Sequence, residues 1–511
     1  MSSYVMGIDV GTGGTRVVVV DAGGKIVASA TEAHEPFVSI EAGWAEQSPE
    51  DWWRAAQIAI RKALNESGLR ADQVSCLGFS GQMHGAVMLD SAGEVIRPAL
   101  IWCDVRTQKQ CDDLTALLGG KRVIELTSNP ALTNFTLTKL LWTREHEPRN
   151  WRRVRSVMLP KDYVRFRLTG LAATDVADAS GTLMLDVKHR KWSSEMMKAV
   201  DIDESVLPAL YESPEVCGKI SAQGAQASGL AVGTSVVAGA GDQAAGAVGL
   251  GIVTPGTVSA TIGTSGVVFA ATDQPVTDTG GRLHTFCHAI PNRWHVMGVT
   301  QAAGLSLKWL RNTFFKECAN GSNNEYERMV EEAEGVPAGA DGLLWAPYLM
   351  GERTPHLDPN VRGALVGLTA SHGRGHVTRA VLEGVAFSLK DAFTIFEEMR
   401  VPVTRVRLGG GGARSPLWRR VQAEVYGREV EIAEAEEGAA YGAAILAGVG
   451  AGFWPSVEAA CESVVRIASR VQPNRDSAAL LDAQYLNYRR IYPAMKSIYP
   501  SERAMSGGEP K

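Results

Sequence analysis

The sequence predicts an α/β protein made of two related halves, with a ligand cleft expected between them. Three observations point there. A turn rich in glycine and hydroxyl groups, Gly11-Thr12-Gly13-Gly14, recurs as Gly263-Thr264-Ser265-Gly266, each copy preceded and followed by a β-rich run. Strand-like runs alternate with amphipathic helical segments, as in layered α/β domains. The 511 residues exceed what one hydrophobic core ordinarily serves, so two large domains are the natural arrangement.

The first half opens with an apolar run over 5–10 that contains Asp9, followed by the tight turn and a second run over 17–20 ending at Asp21-Ala22-Gly23-Gly24. Short β-branched runs punctuated by glycine read as strand, turn, strand, turn. In Gly43-Trp44-Ala45-Glu46-Gln47-Ser48-Pro49-Glu50-Asp51-Trp52-Trp53, Ser48 is placed as a helix N-cap and Pro49 at the first helical position. Asp51 stands where a capping box wants a carboxylate. Residues 74–80 read as a further strand that opens onto Gly81-Gln82-Met83-His84-Gly85.

In the second half, Val381, Val385, Leu389, Phe393 and Phe396 fall at helical spacing and mark a core-facing stripe. A β-like stretch over 403–408 runs into Gly409-Gly410-Gly411-Gly412-Ala413, and an amphipathic segment starts at Leu417, giving strand, glycine loop and helix. The boundary is placed at the Pro255-Gly256 turn, with a first domain of 1–253, a second of 254–495 and a disordered tail of 496–511.

Composition excludes several function classes. With 45% hydrophobic and 21% charged residues the chain is an ordinary globular one, and a net charge of −5 without a long basic run argues against nucleic acid or an anionic membrane as partner. Seven cysteines at irregular spacing, with no Cys-x-x-Cys pair, read as free thiols in a reducing cytosol. The N-terminus lacks the basic and apolar regions of a signal peptide, and the low-charge stretch over 236–253 is broken by Asp242 and glycine, so a cytoplasmic location is expected.

The chemistry is carried by the turns and two carboxylates. A hairpin turn of glycine and threonine lets backbone N–H groups and hydroxyls approach phosphate oxygens closely, which makes Gly11, Thr12, Gly13 and Thr15 candidates. Gly263 and Thr264 could grip the same nucleotide from the opposite side. Gly-Thr-Gly turns also occur in hairpins for conformational reasons alone, and it is the second copy together with Gly409–Gly412 that argues against coincidence. Asp9, two residues before the first turn, is placed to hold Mg²⁺ directly or through water; Thr261 stands at the matching position of the second copy. Phosphoryl transfer to an alcohol needs a base beside the acceptor oxygen, and the candidate is Asp242 in Gly239-Ala240-Gly241-Asp242-Gln243-Ala244-Ala245-Gly246. The bland alternative is that Asp242 only caps the helix beginning at Gln243.

Gly7-Ile8-Asp9-Val10-Gly11-Thr12, Gly43-Trp44-Ala45-Glu46-Gln47, Gly241-Asp242-Gln243-Ala244-Ala245-Gly246, Gly263-Thr264-Ser265-Gly266 and Gly409–Ala413 occur in the order seen in the FGGY carbohydrate kinases, and the resemblance covers about residues 4–495. Within that family, the segments 80–85, 159–163, 178–182 and 351–356 look like the branch that acts on D-xylulose. The resemblance implies a pair of actin-like, ribonuclease-H-like domains with ATP and Mg²⁺ in a central cleft and the sugar bound mainly by the first half. It implies catalytic roles for Asp242 as base and Asp9 as the metal- and phosphate-organising carboxylate. It implies sugar contacts from Gln82, Met83, His84, Trp102, Asp104, Asp242 and Gln243, and ATP contacts from Thr264, Gly410, Gly411, Gly412 and Ala413. A homodimer is compatible with it. The residue after the expected base is often Asn in that branch and here is Gln243, an amide one methylene longer.

Bland readings stand beside these. His84 reads as well as a satisfied loop histidine, Met83 as core filler and Trp102 as packing, although a tryptophan face suits the C–H side of a sugar. Glu352-Arg353 reads as a structural pair and is left out of the catalytic set. Rival functions are a kinase for ribulose, L-xylulose or another polyol, an actin- or chaperone-like ATP switch, and a sugar sensor without catalysis. A switch needs neither an acceptor base nor the Gln82-Met83-His84 loop, and a sensor would not need both Asp9 and Asp242.

Overall fold

The computed structural model describes residues 4–315, 324–434 and 438–499. Cys318 and the expected tail from 500 onward lie outside these residues. The chain forms two compact units, one of Met1–Thr254, Ala271–Val296 and Glu437–Arg466, the other of Pro255–Ala270, Met297–Glu436 and Ile467–Lys511. The sequence reading placed a single boundary at 253/254; two later segments, 271–296 and 437–466, in fact return to the first unit, and no shift in composition marks either return. Among the described residues no helix is long and apolar enough to cross a membrane.

The first sheet is built from β1 (Tyr4–Val10), β2 (Gly14–Asp21), β3 (Ile26–Ala33), β4 (Val74–Gly81), β5 (Val216–Lys219), β6 (Ser235–Val237) and β7 (Ala240–Gly241), in the order β5-β6-β4-β1-β2-β3 with β7 also pairing β4. β1 and β2 form the antiparallel hairpin read from the sequence, while β1, β6 and β7 run parallel to β4. Parallel register sets the site: Asp9 and Ala240 both pair Ser80, and Val10 and Gly241 both pair Gly81. Three segments far apart in sequence therefore end side by side, and the residues that follow them, Gly11, Gln82 and Asp242, leave the sheet at one edge.

In the second sheet, β8 (Gly256–Ile262) and β9 (Gly266–Thr272) form the repeated hairpin, β10 (Val403–Gly410) runs parallel to β8, β11 (Val430–Ala433) parallel to β10, and β12 (Ile467–Val471) antiparallel to β11. Hairpin plus parallel third strand is the same topology as β1, β2 and β4, which is the duplication seen in the sequence. The stripe Val381, Val385, Leu389, Phe393 and Phe396 lies on the helix Arg374–Glu398 with every member buried. The helix Pro416–Tyr426 follows the glycine loop as expected, capped by Ser415, whose hydroxyl accepts from Trp418 N.

The helix Pro49–Ser67 starts where Ser48-Pro49 placed it and buries Trp52, Trp53, Ala56, Ala59, Ile60 and Ala63 against the first sheet. The capping box does not form. Ser48 makes no side-chain cap, and Asp51 instead accepts from Glu35 N at 2.7 Å and pairs with Arg54, partners supplied by a neighbouring loop and the helix itself. Asp242, too, is the first residue of its helix, Asp242–Gly249, and Gly241 occupies the cap position, so the capping reading is corrected by one residue.

The helix Gly438–Gly450 belongs to the first unit because of backbone contact. A Cβ on Gly7 of β1 would lie 2.0 Å from Ala440 O, one on Gly78 of β4 2.0 Å from Ala443 O, and one on Gly442 1.8 Å from Ala245 O. This helix is therefore sandwiched between the sheet and the helix that begins with Asp242, at separations only hydrogen atoms allow.

A buried ion cluster fixes the other side of β7. Lys161 Nζ lies 2.6 Å from Asp162 Oδ1, 2.6 Å from Asp175 Oδ2 and 3.2 Å from Asp178 Oδ2, all four side chains being fully buried. Burial disfavours the Lys161 charge, but the three carboxylates outweigh it and raise its pKa. Burial raises the pKa of Asp178 well above the ordinary carboxylate value, against the pull of Lys161. Arg165 pairs with Asp162 at 2.9 Å and donates to the carbonyls of Ala173 and Ala238, the latter two residues before β7.

Two outcomes are expected. Gly442→Ala inserts a methyl where a carbonyl oxygen sits and destabilises the protein by about 1–3 kcal/mol or more in urea unfolding. Because the oxygen it displaces belongs to Ala245, kinetic constants should suffer as well. Lys161→Met leaves buried carboxylates without their cation and should cost about 3–5 kcal/mol. That deficit should narrow as pH is lowered and the carboxylates take up protons; a constant deficit between pH 8 and 5 would show that charge is not the cause.

Candidate active site

Asp9 lies near the end of β1 and Asp242 directly follows β7, the two strands that flank β4. Asp9 Oδ1 is buried without a hydrogen-bond partner; burial raises its pKa, while the Ser80 hydroxyl and the Arg16 charge pull it down less strongly. The carboxyl of Asp242 is pushed up to about 7, first by burial and then by the negative charge of Asp9, with the Gln243 amide pulling the other way. Gln243 Nε2 donates to Asp242 Oδ1 at 3.2 Å. A carboxylate whose pKa lies near neutrality can accept a proton and release it, which is what a general base needs. Among the described residues no group of three or more His, Cys, Asp or Glu is gathered as a metal site.

The first Gly-Thr turn is tied down from inside the protein. Gly11 N donates to Gly14 O at 3.0 Å, His34 N to Gly13 O at 3.0 Å, Gln47 Nε2 to Thr12 O at 2.8 Å, and Gln82 Nε2 to Gly11 O at 3.3 Å. The Thr12 hydroxyl accepts from the Trp102 indole N–H at 2.9 Å and donates to Gln82 Oε1 at 3.4 Å. Gly13 is exposed, and a Cβ there would meet nothing within 4 Å. Thr15, expected among the phosphate contacts, is fully buried with its hydroxyl 2.9 Å from His34 Nε2, so it braces the hairpin.

The residues expected at the sugar separate into three groups. Trp102, 38% exposed, and the pair Asp242-Gln243 keep accessible surface at the strand ends. Met83 and His84 are buried and pack behind small residues: a Cβ on Gly241 would lie 2.8 Å from Met83 Cγ, and one on Gly181 2.8 Å from His84 Nδ1. His84 sits in the left-handed region, φ 70°, donating from Nδ1 to Gly181 O at 2.6 Å and accepting at Nε2 from Asn134 Nδ2 at 3.2 Å. Its carbonyl accepts from Lys139 Nζ at 2.9 Å and Thr136 Oγ1 at 3.1 Å. Asp104 turns inward instead. Its carboxylate accepts from Ala45 N at 2.7 Å and pairs with Arg106 at 2.7 Å, whose guanidinium also reaches Glu46 at 2.7 Å and lies 3.7 Å over the Trp44 ring.

In the second unit the repeated turn is closed by Gly263 N to Ser265 O at 2.9 Å and held by the start of the helix Gly304–Phe314, where Gly304 N donates to Gly263 O at 2.8 Å and Leu305 N to Thr264 O at 3.1 Å. Ile262, the last residue of β8, pairs Gly410 at the end of β10, so the turn and the glycine loop share one sheet edge. Gly410 adopts φ 71° with space for a Cβ denied by Ile262 O at 2.4 Å, and a Cβ on Gly412 would lie 2.6 Å from Ile262 Cβ. Gly411 makes no such approach, and Ala413 is buried beneath it. Glu352 stands behind this edge, held by Thr300 Oγ1 at 2.5 Å, Gln301 N at 3.0 Å and Arg353 N at 2.8 Å, its carboxyl pushed up to about 8 by burial.

Sequence reasoning gave no role to Gln47, Asn134, Lys139 or Thr300. Gln47 alone carried a signal, as the last residue of the Gly43–Gln47 motif; the others stand in no motif. Lys139 is fully buried, and burial brings its amine down to about 7 against the pull of Asp104.

Known proteins agree with this geometry. Residues 4–249 match the N-terminal domain, and 258–451 the C-terminal domain, of the FGGY family of carbohydrate kinases. The chain is 38% identical over 495 residues to a xylulose kinase of Bacillus subtilis (strain 168), covering 97% of this chain and 98% of that protein. It is 40% identical over 450 residues to a xylulose kinase of Escherichia coli (strain K12), covering 87% and 90%. A crystal structure described as a xyloylose kinase from Brucella ovis superposes with a TM-score of 0.89 at 32% identity over 97% of this chain and all of that one. Two matched domains that together span most of the chain, relatives matched over nearly their whole length and a Gly-Thr hairpin present in two copies converge: the protein belongs to the FGGY family of carbohydrate kinases and is an ATP-dependent sugar kinase.

Proposed function

We propose that the protein transfers the γ-phosphoryl group of Mg·ATP to the terminal hydroxyl of D-xylulose, giving D-xylulose 5-phosphate, with Asp242 as general base. The observation that carries the mechanism is Asp242 itself, a carboxyl held near neutrality beside a second carboxylate at the common edge of β1, β4 and β7. The sugar is supported by the name that both curated relatives bear.

In this reading Asp242 accepts the hydroxyl proton as the bond to phosphorus forms, and Gln243 holds one of its oxygens so that the other faces the acceptor. The exposed Trp102 face receives the C–H side of the sugar, while Met83 and His84 shape the pocket from behind Gly241 and Gly181. The turn 11–14 takes phosphate, and in the second unit Gly263, Thr264 and the loop 410–413 take the nucleotide. Asp9 fits a hard cation: Oδ1 lacks a partner, and a single carboxylate with several retained waters is how Mg²⁺ is commonly bound. When bound, Mg²⁺ supplies screening of the phosphate charge.

Gln243 favours one second reading, a preference for ribulose, L-xylulose or another polyol, since its amide reaches further than asparagine would. A coupled ADP-release assay over a panel of ketoses and polyols separates the two; D-xylulose should give the largest kcat/KM, and a much stronger response to another sugar would overturn the substrate.

Asp242→Asn should lower kcat by about 10²–10⁴-fold while leaving the fold intact. Near-normal turnover in that variant would remove Asp242 from the base role. In the native enzyme, kcat/KM for the sugar should rise with pH through about 7, because the carboxyl works only when ionised and is half-protonated there. In Asp242→Asn this limb should be absent.

A further inference from the structure

We propose that Gln47 and Gln82 are positioning residues that orient the peptide planes of the 11–14 turn for an incoming phosphate. The proposal rests on the reading of that turn as a nucleotide-phosphate turn and says what makes it one.

All four carbonyls of the turn point into the protein, each with a donor. Those of Gly13 and Gly14 are served by backbone N–H groups, as in many hairpins. Those of Gly11 and Thr12 are served by the side-chain amides of Gln82 and Gln47. In a planar trans peptide the C=O and the following N–H face opposite ways. Drawing the carbonyls of Gly11 and Thr12 inward therefore turns the N–H groups of Thr12 and Gly13 away from the brace, toward the side on which Gly13 is exposed. Successive N–H groups turned to one side make an anion-binding concavity. A flipped peptide would present a carbonyl oxygen to the phosphate instead.

The two amides have no freedom to rotate. Gln47 Oε1 accepts from Gln82 Nε2 at 2.9 Å and from Trp52 Nε1 at 3.3 Å, which leaves Gln47 Nε2 for Thr12 O. Gln82 Nε2 serves Gly11 O and Gln47, which leaves Gln82 Oε1 to accept the Thr12 hydroxyl proton. With Trp102 N–H on the same hydroxyl, the Thr12 hydroxyl is engaged inside the protein and its proton is committed to Gln82, so the donors the turn can offer an anion are its N–H groups. Gln47 and Gln82 are 5% and 2% exposed, with their amide groups engaged by the turn and by each other. Gln47 is delivered by the segment 44–47, which Asp104 holds at Ala45 N and Arg106 holds at Glu46. The inward-facing Asp104 cluster thereby acts on the turn rather than on the sugar.

The test uses the full chain, with ADP affinity measured by titration calorimetry, Michaelis constants for ATP and D-xylulose, and thermal midpoints. Gln47→Glu keeps size and the acceptor for Gln82 but cannot donate to Thr12 O; ADP and ATP affinity should fall by about fivefold or more, with the sugar KM within about twofold. Gly13→Ala meets no protein atom and should lower ADP affinity without moving the thermal midpoint. Unchanged nucleotide affinity in Gly13→Ala would sink the reading of the turn itself. A loss there, with nucleotide affinity unchanged in Gln47→Glu, would overturn only the brace. Parallel losses for nucleotide and sugar in Gln47→Glu, together with a large fall in midpoint, would mark the residues as merely structural and overturn it as well.

Discussion

The contact on which the first unit depends is the approach of one backbone to another without side chains between them. The helix Gly438–Gly450 rests its Ala440 and Ala443 carbonyls directly on Gly7 and Gly78, and its Gly442 receives the Ala245 carbonyl of the helix that begins with Asp242. Small residues on all three elements set the height of that helix above the sheet, and with it the position of the carboxylate at the helix start. A Cβ at Gly7, Gly78 or Gly442 would lie within 2.0 Å of a carbonyl oxygen, so a side chain at any of these places would force the elements apart and shift Asp242 with them.

Around this contact the molecule treats buried charge in two ways. Lys161, Arg165, Asp162, Asp175 and Asp178 are closed into a cluster of ion pairs, and Arg97, Arg106, Glu46 and Asp104 form a second network against Trp44 and Trp142. Such networks hold loops and segments in one arrangement, because removing any member strands the others in a low dielectric. Asp9 and Asp242 are treated differently: burial raises both pKa values, the charge of Asp9 raises that of Asp242 further, and the Arg16 charge offsets this only in part at Asp9. Two buried carboxyls with raised proton affinity are suited to a cation and a proton, the two positive species a kinase reaction handles.

Glycine serves different ends in the 11–14 turn and in the 409–412 loop. At Gly13 the absence of a side chain leaves open space where an anion could come close, and the turn is held by glutamine side chains from elsewhere. At 410 and 412 glycine is required by the protein itself, since Ile262 occupies the space a Cβ would need. The two glycine-rich segments therefore read alike in sequence while answering to different constraints.

By itself the sequence determined the α/β class, the duplicated hairpin, the stripe on Arg374–Glu398 and the two carboxylates, because these depend on local periodicity, turn chemistry and motif order, all written along the chain. It also placed the start of the helix at Pro49, though not the partner of Asp51. Tertiary structure alone decided the rest. The return of Gly438–Gly450 to the first unit depends on glycines at 7 and 78, whose meaning appears only when the helix lies on them. The inward turn of Asp104, the burial of Thr15 and the commitment of the His84 ring to Gly181 and Asn134 depend on donors and acceptors 19 to 97 residues away or, for Asp104, on a backbone N–H 59 residues back. A hydrogen bond is specific in space and indifferent to sequence separation, so Asp242 could be named from its neighbours in the chain, whereas its proton affinity had to wait for Asp9.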